Sequence, residues 1–289
     1  MKTSIPRPLL WLMLVVALGV NAVVVVEFLL PAPVPRGLQV SFLDVGQGDS
    51  ILVTGPTGIQ MLIDGGKNRS VLRQLPRLMG PLDRMLDMIV ATHPDADHIG
   101  GLPDVFRVYR VSYFLEPGRV GDTSFYERLT ASVVNEAGQK TILARRDMRI
   151  HLGDGAYADI LFPEGDVEKL RETNDASIVM RVVYGETEFL LTGDAPVWVE
   201  DRIVLAYGTA IESDVLKAGH HGSRTSTGAG WLSVVDPEIV VVSAGKDNSY
   251  GHPHPEVLER VAASGASIVS TIDEGTITFV SDGTQVRRK

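Results

Sequence analysis

Three apolar runs in this sequence each end in side chains that can bind a metal ion, and that pattern limits the fold more than any other feature. Met85-Leu86-Asp87-Met88-Ile89-Val90-Ala91 leads into His93-Pro94-Asp95-Ala96-Asp97-His98. Leu190-Leu191-Thr192-Gly193 leads to Asp194, and Leu216-Lys217-Ala218-Gly219 leads to His220-His221. Short apolar runs bounded by turn residues read as buried strands. If the motifs act together, the fold must bring several strand ends to one place. The chain has no cysteine, which excludes thiolate sites and leaves imidazole and carboxylate ligands for divalent ions such as Zn or Mn.

The rest of the chain alternates strands and helices. Strands are predicted over 38–45, 50–54 and 60–63, a helix over 69–79, the strand 86–91, and a helix over 99–105 behind the first motif. Further strands are expected at 111–115, between 141 and 162, at 177–184 and at 187–191, with a helix over 124–137. The second half continues with helices over 196–207, 228–234 and 255–263 and strands over 214–218, 239–243, 267–271 and 276–280. Two strand groups, each flanked by helices, predict two sheets face to face with helices outside, a layered α/β architecture. With 289 residues, 44% of them hydrophobic, the chain is long enough for a sizeable core.

The first thirty residues are different. Residues 9–30 are apolar except for Asn21 and Glu27, close to the ~20 residues that span a bilayer as a helix. Lys2 and Arg7 precede them without an acid, so the N-terminus is expected in the cytosol and the remainder outside. The alternative is a cleaved signal and a secreted product. Pro31, Pro33 and Pro35 form a stiff spacer. The expected organisation is therefore a membrane anchor over 1–30, a proline-rich linker over 31–37 and a soluble domain over 38–289.

Each motif carries a chemical reading and a plainer one. In the first, side chains two residues apart can converge on one ion while Asp97 and His98 reach a second, as a two-metal site requires; Asp97 could instead cap the following helix. Asp194 could bridge two ions or cap the helix beginning at Pro196. On extended backbone, consecutive imidazoles point in different directions, so one of His220 and His221 is expected to bind metal. His220 is the preferred ligand, with His221 lining the site.

Three strand-end motifs in this order resemble the metallo-β-lactamase fold superfamily, in which the first motif usually reads His-x-His-x-Asp-His; here Asp95 replaces the second histidine. Added to these are Phe42-Leu43-Asp44-Val45-Gly46-Gln47-Gly48-Asp49-Ser50, Leu62-Ile63-Asp64-Gly65-Gly66, Asn174-Asp175-Ala176-Ser177 and Tyr250-Gly251-His252-Pro253. Together they are similar to the C-terminal hydrolase domain of ComEC, the competence-related DNA-uptake family. The resemblance implies a four-layered αββα sandwich following the predicted transmembrane helix. It also implies two divalent ions, Mn or Zn, held by His93, Asp95, Asp97, His98, Asp194 and His220, with Asp64 in support. Asp44, Gln47 and Asp49 match the leading signature. Asn174 and Ser177 fall where relatives often supply a third histidine. Asp97, His252 and Asn174 are the candidate catalytic groups, although His252 could equally be a turn-packing histidine. No role is expected for His151 or His254, and no nucleotide cofactor is implied.

Three ligand carboxylates leave about one positive charge on two divalent ions, enough to favour a hydroxide for attack on phosphorus. The expected activity is a phosphodiesterase or nuclease acting on DNA outside the cytoplasmic membrane, alongside DNA-uptake components. Alternatives are a phosphodiesterase for a small ester, a lactone-type hydrolase, and a non-catalytic envelope or DNA-binding module. The net charge of −9 gives no overall basic footprint for nucleic acid. Locally, Lys67, Arg69, Arg73, Arg77 and Arg84 form one basic segment and Arg145, Arg146 and Arg149 another, each readable as a phosphate contact or as a solvated face.

Overall fold

A computed structural model describes residues 37–289, together with Pro6, Pro8, Trp11, residues 13–16 and Gly19. The chain divides into two compact units, residues 1–33 with 75–83, and residues 34–74 with 84–289. Among the described residues no helix is long and apolar enough to cross a membrane. The predicted anchor and spacer lie almost wholly outside the described residues.

The larger unit holds two sheets. The first comprises β1 (Leu38–Phe42), β2 (Ile51–Thr54), β3 (Gln60–Ile63), β4 (Met85–Val90), β5 (Arg110–Glu116) and β6 (Lys140–Leu143), closed by β14 (Ile277–Ser281) and β15 (Val286–Arg288) in the order β15-β14-β1-β2-β3-β4-β5-β6. The second comprises β7 (Arg149–Gly153), β8 (Ala156–Phe162), β9 (Val179–Tyr184), β10 (Thr187–Leu191), β11 (Val215–Lys217), β12 (Ile239–Val242) and β13 (Ser267–Ser270), in the order β13-β12-β11-β10-β9-β8-β7. In each sheet an antiparallel meander gives way to parallel strands, from β3 to β6 and from β10 to β13.

Parallel neighbours need crossover connections. Helices occur in these: α1 (Val71–Met79), α2 (Ala96–Ile99), α3 (Leu102–Val108), α4 (Ser124–Asn135), α5 (Val197–Tyr207), α6 (Ala229–Val235) and α7 (Pro255–Ser264), with a short α8 (Thr271–Glu274) after β13. Helix α1 runs across the division between the two units.

The sheets meet through their apolar faces. Val40, Val53 and Ile63 of the first share one buried cluster with Ala158, Met180 and Phe189 of the second, and Phe189 and Phe279 lie 6.2 Å apart between ring centroids. The outer face of the second sheet is covered by α5, α6 and α7, where Leu190, Leu216 and Val240 meet Val199, Trp231 and Val257. Strand periodicity explains the split: in β10, Phe189 and Leu191 belong to the inter-sheet cluster while Leu190 joins the outer one.

Two local expectations change. The predicted 99–105 helix becomes α2 and α3, separated at Gly100-Gly101. A Cβ at Gly100 would lie 2.2 Å from the Lys67 carbonyl oxygen, and one at Gly101 2.2 Å from that of Gly65, so the close approach of two backbones requires glycine here. The predicted strand 38–45 stops at Phe42, where the chain turns through Gly46 and Gly48 at positive φ.

Candidate metal centre

The parallel strands deliver the site, because the loops leaving their carboxyl ends carry the polar residues. Asp64 follows β3, the His93–His98 segment follows β4, Asp194 follows β10, His220 and His221 follow β11, and Ser243 follows β12. The sequence-distant motifs are brought together. His98 Nε2 lies 3.2 Å from Asp194 Oδ1 and 3.3 Å from His221 Nε2. His221 Nε2 is 3.5 Å from both Asp97 Oδ2 and Asp194 Oδ2. A tetrahedral ion with bonds of ~2.1 Å has ligand atoms separated by about 3.4 Å. These four groups therefore fit a small divalent ion by their mutual spacing.

The imidazoles are aimed from behind. His98 Nδ1 sits 2.7 Å from Asp64 Oδ2, and Asp64 is itself fixed by the Thr92 amide at 2.8 Å and the Thr92 hydroxyl at 2.7 Å. His221 Nδ1 meets the Ser243 carbonyl oxygen at 2.9 Å. Such bonds at Nδ1 leave each Nε2 facing the cradle and orient the ring, as the supports of metal-ligating histidines do.

Asp49, His98, Asp194 and His221 offer donor atoms that all lie within 4.8 Å of one another. Asp49, however, approaches the Nδ1 side of both rings, 3.9 Å from His98 and 3.4 Å from His221, and its Oδ2 is 2.5 Å from the buried Lys217 ammonium. This geometry suits a supporting carboxylate better than an ion ligand.

A second group shares Asp194 Oδ2 with the first. His93 Nε2 is 3.9 Å and His220 Nε2 3.6 Å from Asp194 Oδ2, and His93 Nε2 is 3.8 Å from Asp95 Oδ2. His93 Nε2 and Asp194 Oδ1 are buried without a hydrogen-bond partner. Buried polar atoms left this way are costly, and a cation in each group would satisfy them, Asp194 Oδ1 beside His98 and His93 Nε2 beside Asp95. Asn174 Nδ2 stands 3.4 Å from His220 Nδ1, Ser177 Oγ accepts the Asp194 amide at 3.2 Å, and the His252 ring centroid is 5.4 Å from that of His220. Asp44 and Gln47 direct their side-chain bonds away from this cluster: Asp44 Oδ1 accepts the Gly46 amide at 3.3 Å, and Gln47 Oε1 accepts the Gly245 amide at 3.1 Å. Asp95, not Asp97, occupies the N-cap position of α2, with no side-chain capping bond.

The sequence favours His220 over His221; the geometry puts His221 in the buried, ion-sized group and His220 in the more exposed second one. Both residues have left-handed backbone, φ 49° and 57°, so the alternation of an extended strand does not apply. Lys217 and Thr92 carry no metal signal and go unnoticed in a search for ligands. The available clue for Lys217 is a lysine ending an otherwise apolar strand.

Electrostatics follow from burial against carboxylates. Burial opposes charge on His98 and His221, yet Asp194 with Asp64, and Asp194 with Asp49, hold them well above the ordinary value and at about 9 respectively. Burial pushes His93 down to about 3 and His252 down to about 4. Asp194 and Asp97 lie below the usual carboxylate range because the neighbouring imidazoles outweigh their burial, whereas burial raises Asp95. An ion entering the cradle competes with protons on His98 and His221, so binding releases protons.

The loop behind the two histidines hangs on Glu200 of α5. This buried carboxylate accepts the amides of Thr227 at 2.6 Å and Gly228 at 2.8 Å, and the Thr227 hydroxyl accepts the Gly219 amide at 3.0 Å. Burial raises the Glu200 carboxyl from 4.5 to about 7. Between those values the unfolded chain has lost a proton that the folded one keeps, so stability falls as pH rises from 4.5 to 7 and then levels off. The expected loss is about 3 kcal/mol. Urea midpoints measured across this interval for wild type and Glu200→Gln check it: the variant loses this component of the slope.

Residues 43–246 match the metallo-beta-lactamase superfamily, and the chain belongs to that superfamily, whose members are typically metal-dependent hydrolases. Among curated proteins it is 29% identical over 264 residues to ComE operon protein 3 of Bacillus subtilis (strain 168), covering 83% of this chain and 33% of that protein. It is 33% identical over 251 residues to competence protein ComA of Neisseria gonorrhoeae, covering 86% and 33%. The chain thus spans about a third of the length of these relatives. The metallo-beta-lactamase fold protein YhfI from Bacillus subtilis superposes with a TM-score of 0.52 at 14% identity, covering 80% of this chain and 95% of that one.

Proposed function

We propose that the chain is a metal-dependent phosphodiesterase that cleaves DNA outside the cytoplasmic membrane as a competence-type nuclease. The observation that carries this reading is the position of Asp194, buried between two imidazole–carboxylate groups with Oδ1 lacking a hydrogen-bond partner. His98, His221, Asp97 and Asp194 would hold one ion, and His93, Asp95, His220 and Asp194 a second. The carboxylate Asp95 in place of an imidazole favours Mn over Zn. Bound divalent ions supply Lewis acidity and lower the pKa of water.

The chain's own groups supply the rest. Asn174 Nδ2, on the open side near His220, can donate to a non-bridging phosphate oxygen. His252 is neutral at physiological pH because burial lowers it to about 4, and its Nδ1 has no hydrogen-bond partner; it can accept a hydrogen bond or a proton from the water that attacks phosphorus. Similarity to competence proteins supports DNA as the substrate. The apolar segment 9–30 behind Lys2 and Arg7 supports a single-pass anchor with the domain extracytoplasmic.

The test is hydrolysis of a single-stranded oligonucleotide and of bis(p-nitrophenyl) phosphate by the full chain, stripped and reloaded with Mn or Zn. Turnover of both, lost on chelation, is expected. Turnover of the small ester alone would exclude the nuclease. Absence of both bound metal and turnover would favour a binding module.

A further inference from the structure

A nuclease centre handles one phosphate at a time, yet a polymeric substrate must be held on either side of it. We infer that the cleft bounded by the 67–69 loop, α3 and α4 binds the phosphate backbone of single-stranded nucleic acid beside the metal centre. This inference rests on the phosphodiesterase reading for its purpose. Its geometry is independent of it.

The cleft encloses about 480 Å³ and is lined by Lys67, Arg69, Arg107, Phe125 and Arg128, with Asp104 the only acid among its walls. Four cations against one carboxylate give the cleft a net charge of about +3 by residue type in a chain whose total is −9. A solvated helix face takes its charges from one element. Here three separate segments contribute, and folding brings their like charges together.

Asp104 organises two of them. Its Oδ1 is 3.5 Å from Arg69 Nε and 3.3 Å from Arg107 Nη1, while both guanidinium side chains remain largely exposed. They are drawn toward one point without being neutralised, as phosphate recognition requires. Lys67 and Arg128 have no acidic partner among the described residues.

Phe125 distinguishes a single strand from a duplex. Its ring is half-buried in the cleft wall, with the Arg128 guanidinium 4.7 Å from the centroid. Aromatic and guanidinium surfaces stack on bases whose faces are open, whereas a duplex hides those faces.

The cleft adjoins the metal centre through α2. Gly100, one of its lining residues, is two residues beyond His98, so their Cα atoms are at most about 7.6 Å apart. The Gly65 amide bonds to the His98 carbonyl at 2.7 Å and the Gly101 amide to the Gly66 carbonyl at 2.9 Å. The segment carrying Lys67 and Arg69 is therefore tied by backbone to the segment carrying His98.

The experiment is fluorescence anisotropy of a labelled oligo-dT of about 20 nucleotides, long enough to exceed one local site, with the full chain in EDTA. Hydrolysis is then blocked, and failure of the nuclease reading leaves this measurement intact. Arg69→Glu/Arg107→Glu is expected to weaken binding about tenfold or more and to lower the slope of log K against log salt by about 1.4, the value for two lost phosphate contacts on a single strand. Phe125→Ala should weaken oligo-dT binding and leave duplex binding unchanged. Asp104→Asn should tighten binding, so the inference remains testable if the double variant misfolds. Arg171→Glu, at a highly exposed position remote in sequence, serves as the charge control. No binding by wild type, an unchanged salt slope in the double variant, or equal losses with Arg171→Glu would overturn the assignment.

Discussion

Replacing His221 by alanine is expected to cost one tightly held equivalent of metal and on the order of 10³-fold in turnover, the scale reached when one electrostatic stabiliser of a transition state is removed. The ring is buried, its Nε2 lies 3.3 Å from that of His98, and its Nδ1 is fixed by the Ser243 carbonyl. A smaller side chain leaves Asp97 and Asp194 facing one another across a gap. His220→Ala removes a partly exposed ring from the second group and should cost less affinity at the first position. Metal content by elemental analysis after gel filtration, read beside kcat, separates the two variants. Equal metal loss from both, or loss from His220→Ala alone, would reverse the assignment of the inner ligand.

Lys217→Met should destabilise the metal-free protein by about 3–5 kcal/mol, the cost of breaking a buried ion pair from one side. The ammonium is fully buried, 2.5 Å from Asp49 Oδ2, 3.8 Å from Asp194 Oδ1 and 3.2 Å from the Gly193 carbonyl oxygen. Methionine fills a similar volume, so the change is chiefly electrostatic. Divalent ions in the cradle would supply part of the missing positive charge, so the deficit should shrink when the variant is reloaded. Urea unfolding with and without chelator measures both quantities, and a metal-free loss below ~1 kcal/mol would show that Lys217 is not the main compensating charge.

Much of the scaffold is legible because strand and helix periodicities differ. Gln60–Ile63 and Thr187–Leu191 fall at their predicted bounds. The omissions lie where local pattern is weak. β15, with its two arginines, has no apolar alternation and is held by pairing to β14. Thr271 to Glu274 forms α8, opened by the Ser270 hydroxyl accepting the Ile272 amide, where the pattern suggests that the preceding strand continues to residue 271.

At the site, the residue types announce themselves, and sequence order identifies which strand ends matter. What cannot be read is direction. Whether His220 or His221 turns inward depends on two successive left-handed residues, and Asp49 presents itself to Nδ1 atoms because Lys217 draws it there. Gly48 marks the same dependence: a Cβ there would fall 1.9 Å from the Asp97 carbonyl oxygen, a contact between residues far apart in sequence.

β1 pairs on one edge with β2 and on the other with β14, so the first strand of the domain acquires its second neighbour only once residues 277–281 have been made. Asp64 and His98 come from that first sheet, whereas Asp194 and His221 come from the second. A nascent or truncated polypeptide therefore lacks the completed cradle, and hydrolytic competence would arrive as a late event of biogenesis, after the two halves have closed on each other.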